Sequence, residues 1–153
     1  MLGPAGTKVI LTIRREGVEE PFDVTITRAR IVLASVESEM LEGGIAYIKV
    51  TDFAEDTNIE LEKALDELLA QNPEGLILDL RNNPGGYLQT AIEITSQFLP
   101  DGTVMLEEFG DGSMNEYKVI PGGMATEIPL VVLVNEGSAS ASEITAGAIQ
   151  DQG

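Results

Sequence analysis

The stretch Pro129-Leu-Val-Val-Leu-Val-Asn135-Glu-Gly-Ser138-Ala-Ser140-Ala-Ser142-Glu143-Ile144 decides the fold that we expect for this chain. The continuous apolar run after Pro129 is typical of a buried strand. It ends at Asn-Glu-Gly, and very small residues then lead into a helix-like pattern. The stretch therefore predicts a strand-to-helix turn that presents a serine hydroxyl beside the first N–H groups of a helix.

The composition limits the chemistry that this serine-rich turn could perform. The 153 residues include no His and no Cys, so a Ser-His-Asp triad cannot be assembled from them and a thiol nucleophile is excluded. Disulfides and cysteine-based metal sites are excluded for the same reason. We expect no metal and no cofactor. A catalytic serine here would need a lysine, or a group outside these residues, as its general base.

The rest of the chain alternates between strand-like and helix-like segments. We expect strands at 44–51, 75–80, 103–107, 116–120 and 130–134, and helices at 57–70, 87–99 and 140–150. Thr57 and Glu60 have the spacing of a capping box at the start of the first helix. Strands that alternate with helices of this length predict an α/β fold with a mostly parallel sheet and βαβ crossovers.

The segment before this core has a different pattern. Residues 6–30 read as a β-hairpin, with strands at 8–13 and 22–27 and a turn at Glu16-Gly17. A lone hairpin is marginal in water, so we expect it to belong to a larger sheet. Residues 31–42 are either a linker or a first strand of the following domain.

Together with Gly75-Leu-Ile-Leu-Asp-Leu-Arg-Asn-Asn-Pro-Gly-Gly86, the serine-rich stretch resembles the carboxyl-terminal processing proteases, also called tail-specific proteases. These are serine peptidases with a Ser-Lys catalytic pair and an associated PDZ domain. Residues 6–15 and 43–50 match the same family in the same order. The resemblance implies a ClpP/crotonase-like protease core over residues 31–153, preceded at residues 1–30 by a β-hairpin remnant of the PDZ domain.

The resemblance also assigns the candidate site. From the residues alone, Ser138, Ser140 and Ser142 compete as nucleophile, and all three could instead be small helix-start residues. The family's nucleophile is the middle serine of this pattern, which is Ser140. Ser138 then serves the turn or the helix cap, and Ser142 is expected to be structural.

Three backbone groups and one carboxylate complete the expected site. The N–H of Ala141, directly after the candidate nucleophile, is one natural oxyanion donor. From the residues alone Pro84-Gly85-Gly86 could be an ordinary strand-to-helix turn, but the resemblance implies that it supplies the second donor, from Gly86 in preference to Gly85. Asp151 lies eleven residues after Ser140, about three helical turns, and should face the same side of the helix. In relatives an Asp at this place supports the site; the alternative is a solvated charge at the helix end.

The general base is the missing part. In the family it is a lysine in a Gly-Lys-Gly turn, and residues 1–153 contain no such turn. None of the lysines at 8, 49, 63 and 118 lies in that context. We therefore expect the Lys to lie beyond this chain, and the chain alone to be inactive. The Asp79-x-Arg81 pair is expected to be an architectural ion pair that shapes the turn after its strand.

These expectations describe a serine endopeptidase that cleaves polypeptides recognised by their free C-terminal tails. The chain has 26 acidic and 9 basic residues, and the resulting net charge of −17 argues against nucleic-acid and membrane-surface partners. The family resemblance is compatible with a homo-oligomer. It also implies a periplasmic or otherwise extracytoplasmic location, although the chain shows no signal-peptide pattern.

Two alternatives belong to other functional classes. One is a catalytically silent peptide-binding or scaffold module that has kept the protease fold. The other is a crotonase-like acyl-thioester enzyme, which also places a glycine-rich oxyanion turn on βαβ units. That enzyme would need no Ser-Ala-Ser pattern and would carry basic residues for a nucleotide tail, which this acidic chain lacks.

Overall fold

The computed structural model describes residues 3–29 and 34–152, which fall into two compact units. In the first unit, β1 (Lys8–Ile13) pairs antiparallel with β2 (Phe22–Thr27), which confirms the predicted hairpin. Gly17 takes a φ of 83° in the turn between them. Assignment of this hairpin to a PDZ domain stays a prediction, and residues 1–2, 30–33 and 153 lie outside the described residues.

The second unit is built around a four-stranded sheet. Its strands are β3 (Val36–Leu41), β4 (Ile45–Val50), β5 (Gly75–Asp79) and β8 (Leu130–Leu133), in the order β3-β4-β5-β8. The pairs β4–β5 and β5–β8 are parallel, as expected. The pair β3–β4 is antiparallel, so the sheet is mixed and the expected mostly parallel sheet is corrected.

The turn between β3 and β4 explains the antiparallel pair. Only Glu42, Gly43 and Gly44 join the two strands, and both glycines have positive φ angles, 87° and 74°. So short a connection can only reverse the chain, whereas a parallel pair needs a crossover of a dozen or more residues. Of the ambiguous segment 31–42, residues 36–41 are therefore a first strand of this unit.

Three helices and a second hairpin complete this unit. The helices are α1 (Thr57–Leu69), α2 (Leu88–Ser96) and α3 (Ala141–Gln152), and the hairpin strands are β6 (Thr103–Glu108) and β7 (Met114–Lys118). All are close to their predicted positions. Across the described residues, no helix has both the length and the apolar character needed to cross a membrane.

The main core includes Ile48 and Leu78 of the sheet, which are fully buried in one apolar cluster with leucines of α1. Helix α2 is buried on two sides, because Ile94 joins this main core and Ile92 joins a second cluster with β6 and α3. A helix between two layers is buried on more than one side and has no clear polar face.

The predicted capping box at α1 is wrong. The helix begins after Asp56, whose side chain makes no capping hydrogen bond. The Glu60 carboxylate instead accepts hydrogen bonds from the backbone N–H groups of Ser35 and Val36, at 2.7 and 3.1 Å. Glu60 thus joins α1 to the start of β3, a tertiary partner that its spacing from Thr57 does not reveal.

We expect Leu65→Ala to lower the free energy of unfolding by about 2–5 kcal/mol, because Leu65 is fully buried and its removal leaves a cavity. Ile59→Ala is the matched control on the same helix, since Ile59 is 66% exposed, and it should change stability by no more than about 0.5 kcal/mol. Urea denaturation measures both. Equal losses would contradict the core described above.

Candidate active site

The candidate site lies where two strand-to-helix turns meet. The first turn joins β5 to α2 and the second joins β8 to α3. Because β5 and β8 are parallel neighbours, their carboxyl ends reach the same edge of the sheet, where open α/β sheets usually hold their sites. We call residues 80–87 the glycine turn and residues 134–140 the serine loop.

The three serines of the predicted pattern have different surroundings. The Ser138 hydroxyl donates to the carbonyl oxygen of Leu80 at 2.7 Å, so it holds the serine loop to the glycine turn. Ser142 is fully buried and its hydroxyl donates to the carbonyl oxygen of Asn83 at 2.9 Å. Ser140 is exposed, and its hydroxyl has no hydrogen-bond partner among the described residues. Ser140 alone of the three therefore presents a free hydroxyl.

The backbone at Ser140 is strained and held from both sides. Its φ of 55° is left-handed, which costs a residue other than glycine about 1–3 kcal/mol. The Ser140 N–H donates to the Glu143 carboxylate at 2.8 Å. The Ser140 carbonyl oxygen accepts from the N–H groups of Glu143 and Ile144, both at 3.0 Å. These contacts place the serine at the start of α3 with its hydroxyl outward.

Gly85 brings the two turns into direct backbone contact. Its φ is 102°, and a Cβ at this position would lie 2.8 Å from the Ser140 Cβ and 2.9 Å from the Ala141 nitrogen. It would also lie 2.7 Å from the Ala139 carbonyl oxygen. Any side chain here would force the serine loop away, so glycine is required for the contact.

Gly86 is fixed by the segment after β4. The Phe53 N–H donates to the Gly85 carbonyl oxygen at 2.9 Å, and the Tyr87 N–H donates to the Phe53 carbonyl oxygen at 2.8 Å. Gly86 itself has a φ of 154°, and a Cβ there would collide with the Phe53 backbone. The glycine turn is thus held between Phe53 on one side and the serine loop on the other.

The backbone N–H groups at this edge divide into used and unused donors. The Gly85 N–H donates to the Asn83 side-chain oxygen at 2.9 Å, and the Ser140 N–H is taken by Glu143. Within the described part of the chain, the N–H groups of Gly86 and Ala141 donate to no acceptor. Two free donors beside a free serine hydroxyl are what an oxyanion hole requires.

Two asparagines connect the two turns. The Asn82 N–H donates to the Asn135 side-chain oxygen at 2.8 Å, and the Asn135 side-chain nitrogen donates to the Asn82 side-chain oxygen at 3.0 Å. Asn82 has a φ of 58°, a conformation that asparagine tolerates better than most residues. An asparagine at the end of each of two adjacent strands was the available signal.

The predicted Asp79–Arg81 ion pair is confirmed. The Arg81 Nη2 lies 2.6 Å from the Asp79 Oδ2, and the Tyr47 hydroxyl donates to the same oxygen at 2.6 Å. The hydrogen bond from the Arg81 guanidinium is the main reason that the pKa of Asp79 falls well below its ordinary value of 3.8. The hydrogen bond to the charged Asp79 raises the pKa of Tyr47. Asp79 is thus an anion at neutral pH, and it shapes the turn.

Asp151 lies in the last turn of α3 and is exposed. Eleven residues of helical rise put its Cα about 16 Å from that of Ser140. Such a distance excludes direct contact between the two side chains. Support of the serine by Asp151 would have to pass through other groups, and this role stays a prediction.

The lysines of this unit are engaged at its surface. Each has a nitrogen–oxygen distance of 3.4–3.9 Å to a glutamate, in the pairs Lys49–Glu37, Lys63–Glu67 and Lys118–Glu116. Within residues 34–152 no lysine nitrogen contacts the Ser140 hydroxyl. The described residues also hold no group of three or more acidic side chains that could bind a metal ion.

Comparisons with known proteins match the part of the chain that contains both turns. A model of peptidase family S41 matches residues 44–153, which include the glycine turn and the serine loop. The chain is 43% identical over 155 residues to a carboxyl-terminal-processing protease of Synechocystis sp., covering 99% of this chain and 36% of that protein. It is 41% identical over 150 residues to a carboxy-terminal processing protease of Bacillus subtilis, covering 97% and 32%.

A solved structure extends the comparison to the fold. The photosystem II D1 C-terminal processing protease matches with a TM-score of 0.72 and 28% identity, over 97% of this chain and 42% of that one. The chain thus spans about a third of the length of the curated relatives named above, 36% and 32%.

We expect Gly85→Ala to destabilise the protein more than Gly112→Ala does. Both glycines have positive φ, so alanine costs about 1–2 kcal/mol at either position. Only at Gly85 does the new Cβ also meet the serine loop, which should add about 1–3 kcal/mol. Urea denaturation of the two variants measures the difference, and equal losses would contradict the backbone contact.

The Asp79–Arg81 pair should make stability depend on pH. Because folding lowers the pKa of Asp79, its contribution is complete above the unfolded value of 3.8 and is lost as the pH falls from there. Arg81→Gln should therefore destabilise the protein more at about pH 7 than at about pH 3. Lys63→Gln, at an exposed pair, is the control and should show little effect at either pH.

Urea unfolding of these variants at both pH values provides the measurement. The same loss for Arg81→Gln at the two pH values would show that the ion pair does not hold Asp79 in its charged form.

Proposed function

Because this chain belongs to peptidase family S41, we propose that it carries the nucleophile and the oxyanion hole of a serine endopeptidase that cleaves proteins recognised by their C-terminal tails. The observation that carries the proposal is the free, exposed hydroxyl of Ser140 beside the two free N–H groups of Gly86 and Ala141. The acyl-thioester alternative has no use for this hydroxyl.

In the proposed reaction, the Ser140 hydroxyl oxygen attacks the carbonyl carbon of the scissile peptide. Negative charge develops on the carbonyl oxygen, which the N–H groups of Gly86 and Ala141 bind. Each such donor is worth about 100-fold to 1,000-fold in kcat. Ala141 begins α3, so the helix dipole also favours this charge. The serine proton passes to a base, which returns it to the leaving amine.

A lysine outside residues 1–153 is the proposed base. The chain has no histidine, and the lysines of its second unit pair with glutamates instead of contacting Ser140. A Gly-Lys-Gly turn, as the family resemblance implies, would supply the missing group. The chain alone should therefore react slowly with an acylating reagent at Ser140 and should not hydrolyse peptides.

The remaining parts of the proposal concern the whole protein. The relatives are named as C-terminal processing proteases, and we extend that substrate class to this chain: polypeptides with free C-terminal tails. Residues 1–30 would be the C-terminal strands of the PDZ domain that binds such tails. The family resemblance supports the further proposal of an extracytoplasmic, for example periplasmic, place of action.

We expect Ser140→Ala to abolish peptide cleavage, with a loss in kcat of about 10⁴-fold or more. The protein to use carries this chain together with a Gly-Lys-Gly turn after it, and the readout is hydrolysis of a peptide with a free carboxyl terminus. Ser113→Ala is the control, because Ser113 is exposed in the β6–β7 turn.

Two results would contradict the proposal. Cleavage by the Ser140→Ala variant at the rate of Ser113→Ala would exclude Ser140 as the nucleophile. Cleavage by residues 1–153 alone would show that the base lies within them.

A further inference from the structure

Asn83 is a fully buried polar residue under the glycine turn, and both ends of its side chain are used. Its side-chain nitrogen donates to the carbonyl oxygen of Val50 at 2.8 Å, and its side-chain oxygen accepts from the Gly85 N–H at 2.9 Å. Both partners are backbone groups of fixed polarity, so the orientation of the amide is determined.

The backbone of Asn83 holds the serine loop as well. Its carbonyl oxygen accepts from the Ala139 N–H at 3.1 Å and from the Ser142 hydroxyl at 2.9 Å. One residue therefore connects the end of β4, the glycine turn, and both sides of the nucleophile at position 140. The polar part of this buried network has no unsatisfied side-chain atom among the described residues.

The side chain of Asn83 decides which glycine N–H remains available. Gly85 is buried and its N–H points to Asn83, so this donor cannot reach a substrate at the same time. The next N–H belongs to Gly86, which is exposed and has no acceptor among the described residues. Without the acceptor at position 83, the Gly85 N–H would be a buried donor without a partner, which destabilises this conformation of the glycine turn.

We propose that Asn83 is a positioning residue that assigns the oxyanion role to Gly86 by binding the N–H of Gly85. The proposal rests on the proposed function, since it concerns the same oxyanion hole. Loss of the acceptor leaves the buried Gly85 N–H without a partner, so the glycine turn rotates to satisfy it and the direction of the Gly86 N–H changes.

Only a neutral group with one donor and one acceptor fits this place. The Asn83→Leu variant has neither, at a similar volume. The carboxylate of the Asn83→Asp variant would face the Val50 carbonyl oxygen, and its burial would raise its pKa. Its protonated form can donate to Val50 and accept from Gly85 as asparagine does. The hydrogen-bond partners of the side chain at position 83 are backbone groups, which do not titrate.

Kinetics of peptide cleavage in the protein that carries this chain with its general base provide the test. Asn83→Leu should lower kcat about 100-fold to 1,000-fold, the effect of losing one oxyanion donor, with KM changed less than about threefold. Asn83→Asp should regain kcat as the pH falls and lose it as the pH rises, relative to the unsubstituted enzyme at each pH.

Ser96→Ala is the matched control. Ser96 is also a buried side chain that joins two backbone groups, donating to the Ile92 carbonyl oxygen at 2.6 Å and accepting from the Ile120 N–H at 2.9 Å. It lies at the far end of α2 from the glycine turn. The Ser96→Ala variant should have a lower melting temperature, as the Asn83→Leu variant should, while its kcat stays within about twofold of that of the unsubstituted enzyme.

Amide hydrogen exchange of residues 1–153 supplies a readout that needs no catalysis. The Gly85 amide should exchange slowly and the Gly86 amide fast, and Asn83→Leu should accelerate exchange at Gly85 more than Ser96→Ala does. Equal exchange at the two glycines in the unsubstituted chain would overturn the proposal.

The outcomes separate the two proposals. An enzyme in which Asn83→Leu keeps its kcat, or in which Ser96→Ala loses as much, retains the proposed function and overturns the role of Asn83. Absence of cleavage by the unsubstituted enzyme overturns the proposed function and with it the oxyanion role of Gly86.

Discussion

The whole site depends on one close approach, between Gly85 and the backbone around Ser140. A Cβ at position 85 would lie within 3 Å of three atoms of residues 139–141, so the contact exists only because this residue has no side chain. Parallel pairing of β5 with β8 brings the two turns to the same edge, and the glycine lets them touch. The sheet topology places the two turns side by side, and the absence of a Cβ at position 85 allows their backbones to come into contact.

The strain at Ser140 is tolerable because the surroundings determine its conformation several times over. Its own N–H is held by Glu143, and the residue before it is held by Asn83. Ser138 and Ser142, two residues away on either side, hydrogen-bond to carbonyl groups of the glycine turn. Small residues in this pattern therefore have separate tasks: the outer serines fix the loop, and the middle one remains free.

Much of this arrangement follows from local sequence, and the rest depends on contacts between distant residues. The apolar run at 130–134 and the helical stripe at 57–70 predicted their elements, because burial and periodicity are local properties. The antiparallel pairing of β3 did not follow, because the strand pattern does not encode the direction of the turn after it. The hydrogen bond between Glu60 and Ser35 did not follow either, because these residues are 25 positions apart in the chain.

The site shows the same division. The serine pattern and the glycine pair are contiguous motifs, so Ser140, Gly85 and Gly86 could be named as candidates in advance. Asn83 could not, because its importance lies in the Val50 carbonyl oxygen, 33 residues away in the chain. Apart from the residue type itself, nothing in the sequence marks a buried amide side chain that hydrogen-bonds to two backbone groups.

Electrostatics sets the condition that a lysine base for Ser140 must meet. Such a lysine accepts a proton only when it is neutral, and nearby negative charge raises its pKa. The chain carries a net charge of −17, and Glu143 lies one helical turn from the serine. Burial is the remaining effect that lowers the pKa of a lysine, and it must outweigh the effect of these negative charges.

Because Ser140 is exposed in the described structure, the segment that brings the lysine must also cover the serine and exclude water from it. A neutral lysine base and burial of the site are therefore one requirement, and a lysine on a solvated loop would not meet it.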